Sequence, residues 1–114
     1  MAGKYNMFAE QGSTFNLTFT INTDGIYWDL TNYIGRMKVK KFIGSADNLI
    51  ELTTSNGRMT LDNQGTTELN ITAADMADLT AGKYVYDIEF ESIVLGNVQR
   101  ILEGKFTIRP EVTY

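Results

Sequence analysis

The chain has 114 residues, of which 14 are acidic and 10 basic, giving a net charge of −4, and it contains neither cysteine nor histidine. That length sets the expectation of a single domain over residues 1–114, built on one hydrophobic core. The missing residue types exclude disulfides, thiolate chemistry, the ordinary zinc sites and the commonest general base, and the acidic balance argues against nucleic acid as a partner.

Tyr5 to Ala9 precede Gly12 and a full strand, so residues 1–12 read as an N-terminal arm or edge strand. Phe15, Leu17, Phe19 and Ile21 then alternate with Asn16, Thr18 and Thr20. Such a period of two sends one row to a core and the other to solvent. Asp24-Gly25 supplies the positive φ of a tight hairpin turn. Trp28 and Leu30 begin the next extended piece, continued on one face by Tyr33, Gly35, Met37 and Val39 and on the other by Arg36, Lys38 and Lys40. Gly44 to Asn48 reads as a loop and Leu49 to Thr53 as a short strand. Asn56-Gly57 and Asp62 to Gly65 are turns around Met59 and Leu61, and Leu69 and Ile71 mark another strand. Turns at this spacing belong to a sandwich or barrel.

One segment departs from alternation. Thr72 to Leu79 is rich in helix formers, with Thr72 placed as a cap and Asp75 in the first turn, and it predicts a short helix ending before Gly82. Tyr84, Tyr86, Ile88 and Phe90 alternate with Val85, Asp87, Glu89 and Glu91 in the strongest strand pattern of the chain. Gly96-Asn97 makes a turn, and Val98, Leu102, Phe106 and Ile108 share a phase in its hairpin partner. Gly104 within that strand predicts a bulge or a close backbone approach, and Pro110 ends the ladder. Leu79, Gly82 and Tyr84 have the spacing of a tyrosine corner, in which the phenol pins a crossover to the strand that follows. The fold expected is all-β, an immunoglobulin-like antiparallel β-sandwich of about seven strands with one short helical crossover.

The four serines lack a neighbouring base or a nucleophile elbow, and the glycines sit singly at turns, without a phosphate-binding pattern. Asp87, Glu89 and Glu91 could hold a cation or run glycoside hydrolysis, yet a row on one strand face reads first as a solvated surface, with the basic row as its complement and Lys38 opposite Glu89. The reading is of a protein that is not an enzyme and takes no metal and no cofactor. No apolar run reaches membrane-spanning length and Met1 to Lys4 lack a signal peptide's apolar core, so no membrane partner is expected. Asn16-Leu17-Thr18 and Asn70-Ile71-Thr72 match the glycosylation sequon by chance inside strands. Tyr27, beside Trp28 on the opposite strand face, is a candidate contact residue.

Tyr5 to Leu17 (YNMFAEQGSTFNL), Asp29 to Tyr33 followed by Arg36 to Lys40, Gly82 to Glu89, Leu102 to Phe106 and Pro110 to Thr113 resemble, in order and spacing, blocks of small virion proteins of tailed bacteriophages. Asn32 stands where that pattern has glycine. The resemblance implies a phage structural protein with an immunoglobulin-like domain, similar to the N-terminal attachment domains of baseplate and tail-fibre proteins. Its expected partners are other virion proteins and further copies of itself, as a multi-copy adaptor of baseplate, tail or neck made in the host cytoplasm. A capsid decoration protein and, from another class, a carbohydrate- or receptor-binding module are the alternatives. Both chain ends read as extended segments, suited either to a neighbour's sheet edge or to pairing within their own domain, and the first of these makes Tyr5, Met7, Phe8, Val112 and Tyr114 candidate contacts. On that reading, removing residues 1–9 leaves the domain folded but blocks its incorporation.

Overall fold

The computed structural model describes residues 3–110. The alternating rows close two sheets over a common core. In the larger sheet, β1 (Gly3–Lys4) and β2 (Met7–Glu10) both lie along the outer edge of β11 (Val98–Arg109), followed by β10 (Gly82–Ser92), β6 (Tyr33–Lys40) and β7 (Asn48–Thr53). The smaller sheet has the order β3 (Phe15–Thr20), β9 (Thr66–Ile71), β8 (Met59–Leu61). A small ribbon of β4 (Asn22–Thr23) and β5 (Ile26–Tyr27) turns at Asp24-Gly25, both with positive φ as the dipeptide predicts. Helix α1 (Ala73–Ala77) carries the chain from β9 to β10. This is an all-β sandwich with one short helical crossover.

One detail differs from the expectation. Among the described residues eight strand segments have three or more residues, in keeping with about seven, but pairing is not wholly antiparallel, because β1 and β2 run parallel to β11. The parallel pairing follows from the route of the chain. After β2, Ser13 donates to the Glu10 carbonyl in a turn that delivers Phe15 to the opposite sheet, so the arm and β3 belong to different layers.

Core and elements follow the predicted rows. Tyr84, Tyr86, Ile88 and Phe90 of β10 are buried with Met37 and Val39 of β6, while Phe15 meets Phe106 edge-on at 5.3 Å between ring centroids. Leu17, Phe19 and Ile21 pack on this core but stay partly exposed. Thr72 caps α1 by accepting from the Asp75 amide at 3.2 Å, and the fully buried Met76 fastens the helix to the core. The tyrosine corner is present in its local form: the Tyr84 hydroxyl donates to the Thr80 carbonyl at 2.7 Å. Leu79 is buried and Gly82 opens β10 beneath the Tyr84 ring.

The shared phase of Val98 with Phe106 is corrected by a bulge. Ile88 pairs with Leu102 but Glu89 with Arg100, so Ile101 is the extra residue and the strand turns over at that point. Val98 therefore pairs with Glu91 on the outer face and is exposed.

Gly104 does bring two backbones together, as its place in the strand predicts. A Cβ there would stand 2.2 Å from the Tyr5 carbonyl oxygen. That oxygen accepts from the buried Tyr86 hydroxyl at 2.5 Å, and Asn6 Oδ1 accepts from the Lys105 amide at 3.1 Å. Burial, the largest cause, raises the Tyr86 phenol above its ordinary value. Residues 5–6 are thus clamped where the segment passes from β1 to β2.

Candidate partner-binding surfaces

The apolar side chains left outside the core gather mainly at loops. One end of the sandwich is assembled from three connections. Ile93 donates to the Asn32 carbonyl at 2.9 Å, Leu30 to the Asp62 carbonyl at 3.0 Å, and Ile21 to the Gly65 carbonyl at 2.9 Å. These bonds bring the β4–β5 ribbon, the 62–65 turn and the β10–β11 turn to the same end. The last of these presents Ile93, Val94 and Leu95 in succession, Leu95 being 74% exposed. The turn is a fixed one. The Leu95 amide donates to Ser92 Oγ at 3.1 Å, the Gly96 amide to the Ser92 carbonyl at 2.8 Å, and the amide of the buried Ser92 donates to the Asn97 carbonyl at 2.9 Å.

Tyr27 lies at this end and is 57% exposed, with Ile26 exposed beside it in the ribbon. Trp28 takes the other side of the chain, as adjacent strand residues must. Its ring packs toward Tyr33 and its Nε1 donates to Thr23 Oγ1 at 2.8 Å. The ribbon therefore exposes one aromatic next to an aliphatic residue and forms no paired aromatic platform for sugar. The opposite end carries Phe42 and Ile43, both exposed, in the loop after β6.

The N-terminal candidates divide. Tyr5 and Phe8 are about half exposed, and the Arg109 guanidinium sits 5.0 Å from the centre of the Phe8 ring. Met7 is a correction: at 2% exposure it fills the core with Ala9, in register with Phe106 and Ile108, and offers nothing to a neighbour. The same burial argues against the expectation that the domain stays folded, or nearly so, without residues 1–9. Val112 and Tyr114 lie outside the described residues.

The outer face of the larger sheet carries the two charged rows side by side, as predicted, but in a different register. Arg36, not Lys38, stands opposite Glu89. It bonds Glu89 at 3.3 Å and Glu91 at 3.0 Å. Lys38 lies between Asp87 and Glu51. Arg100 closes the pattern on Asp87 at 3.3 Å and Glu103 at 3.7 Å. A groove of about 560 Å³ crosses this face between Lys4 and Lys40. Its three carboxylates, Asp87, Glu89 and Glu103, are all taken up by arginines. Among the described residues no group of three carboxylates is arranged to hold a metal ion, and no helix is long and apolar enough to cross a membrane.

No protein-family model and no curated protein sequence matches this chain. The residues that composition and alternation missed are Ile93, Val94 and Leu95. Their signal was a run of three apolar residues after Ser92, where the alternation of β10 has stopped and a polar turn would be the norm.

Proposed function

We propose that this chain is a non-enzymatic structural subunit of a phage virion, an immunoglobulin-like module present in many copies and held by neighbouring proteins. The observation that carries the reading is the β10–β11 turn, where Ser92 holds three apolar side chains out from the sandwich. Apolar side chains on a pre-ordered loop lose little conformational freedom when a partner covers them. Tyr27 and Ile26 extend the same end. The immunoglobulin-like assignment is supported by strand order. β3-β9-β8 facing β11-β10-β6-β7 reproduces strands B-E-D facing G-F-C-C′, with the tyrosine corner opening the F strand. The ordered sequence blocks that resemble those of phage virion proteins suggest the setting.

The test is mass spectrometry of purified particles of the phage that encodes the chain, with a Val94→Asp/Leu95→Asp variant beside the wild type. The wild type is expected in the particles at many copies. The variant should keep its thermal midpoint and be lost from the particles at least tenfold (about 1.4 kcal/mol of contact). Absence of the wild-type chain from purified virions would overturn the reading, and normal incorporation of the variant would overturn the role of this turn.

A further inference from the structure

We propose that the free edge of β3 is a slot for one extended strand donated by another polypeptide, apolar at alternate positions where it faces the core. The inference goes beyond the virion reading and does not depend on it.

Among the described residues, the smaller sheet ends at β3. β3 packs over β11 through Phe15 on Phe106, and β8 lies over β6, where Met59 Sδ fills the space above Gly35. On the β3 side the larger sheet continues by a further strand, β1 and β2, which has no counterpart opposite among the described residues. In the constant-type immunoglobulin sandwich this position of the smaller sheet belongs to strand A. Here the N-terminal segment has gone to the larger sheet instead. The gap leaves Leu17 and Phe19 partly exposed along the flank of the core.

The backbone groups of the edge are unspent. In β9, Asn70 donates to the Arg58 carbonyl and Asp62 donates to the Thr66 carbonyl, so the even-numbered residues of β9 face β8. Leu69 and Thr67 then face β3, in register with Leu17 and Phe19. Antiparallel pairing turns the amide and carbonyl of one residue to the same side. Asn16, Thr18 and Thr20 therefore direct three amides and three carbonyls into the gap, where no described strand pairs with them.

The other edges are defended. On β7, the Glu51 carbonyl accepts from Asn56 Nδ2 at 3.0 Å and Arg58 Nη1 at 3.1 Å, and the Thr53 amide donates to Asn56 Oδ1 at 3.0 Å. β8 has only three residues, and the β1–β2 edge is broken at Tyr5-Asn6 and carries Lys4 and Glu10. β3 has six residues and neither charge nor proline, two of the usual protections of an exposed edge. The gap also selects its occupant. A second copy pairing through its own β3 about a two-fold axis would bring its overhanging β1 and β2 into the same space. A single strand fits, adding main-chain bonds on one side and covering Leu17 and Phe19 with its inward side chains.

The probe is a synthetic peptide, Lys-Thr-Val-Thr-Val-Thr-Val-Thr-Lys, titrated into the intact protein while amide exchange and chemical shifts are followed residue by residue. In the free protein the Asn16, Thr18 and Thr20 amides should exchange fast and those of Leu17 and Phe19 slowly. Peptide should slow the first three and leave the second pair unchanged. N-methylating the threonines, or separately the valines, should weaken binding at least about tenfold in one case only, since one set of amides faces β3. Thr18→Pro removes a donor on the free side alone and should abolish binding. Fast-exchanging amides that peptide leaves untouched would overturn the proposal, as would equal binding by both methylated peptides. Amides already protected in the free protein would do the same, since they would place the chain's own residues in the slot.

Discussion

Adding one methyl group at Gly104 should detach the N-terminal segment from the sandwich. In Gly104→Ala the new carbon would stand 2.2 Å from the Tyr5 carbonyl oxygen and 2.9 Å from its carbon. A van der Waals separation of about 3.5 Å requires Tyr5 to retreat by more than about 1 Å. That movement breaks the 2.5 Å bond from the Tyr86 hydroxyl, the 3.0 Å bond from the Tyr5 amide to the Glu103 carbonyl, and the 3.1 Å bond between Lys105 and Asn6. Tyr86 is buried, so stranding its hydroxyl costs about 1–3 kcal/mol, and the other two bonds contribute about 0.5–1.5 kcal/mol each. A loss of about 2–6 kcal/mol lowers the thermal midpoint of a domain this size by roughly 10–25 °C. Circular dichroism melts measure the shift, and hydrogen exchange should show the Lys105 amide losing protection before the β6 and β10 amides do. A midpoint within about 3 °C of wild type, with Lys105 still protected, would refute the clamp.

Met7→Ala should cost about 2–4 kcal/mol in urea denaturation, and deletion of residues 1–9 should leave no cooperative transition, because Met7 and Ala9 cover Phe106 and Ile108. Thr67→Val should stabilise the protein by about 1 kcal/mol, since the fully buried Thr67 hydroxyl has no hydrogen-bond partner among the described residues; a loss of stability would show that the hydroxyl is satisfied after all. A double-mutant cycle on Arg36→Ala and Glu91→Ala should give a coupling of only about 0.5–1 kcal/mol, fading in high salt, because both side chains are about one-third exposed. On acidification, the Arg58 hydrogen bond holds the Asp75 carboxyl below its ordinary value of 3.8. Its contribution is complete above that value and is lost as pH falls through the lowered folded value. Arg58→Gln should therefore flatten the acid limb of a stability–pH curve below pH 4, and an unchanged limb would count against the pair.

Local chemistry carried most of the fold into the sequence. The Asp24-Gly25 and Asn56-Gly57 turns, the Thr72 cap and the inward rows of β3 and β10 depend on residues close in the chain, and each stands where its residues require. What composition and period could not carry were choices made between distant strands. Tyr5 to Glu10 join β11, about a hundred residues away, where Gly104 leaves room for Tyr5, and Met7 changes from a candidate contact into core as a result. A single extra residue at Ile101 reverses the facing of Val98, and the pairing of Arg36 rather than Lys38 with Glu89 is a matter of register. The apolar turn at Ile93 to Leu95 was hidden differently, since a short apolar run reads as interior until its strand is known to have ended.

The side chains of Asn56 and Arg58 along β7 have a consequence for crowding. Many copies held close together could in principle join like tiles, the β7 edge of one meeting the β3 edge of the next. Such a head-to-tail contact adds copies without limit unless its rotation closes a ring. With the Glu51 carbonyl and Thr53 amide already occupied from within, that path is blocked at its first bond. Sandwiches brought close together are then kept from fusing into a fibre along this direction.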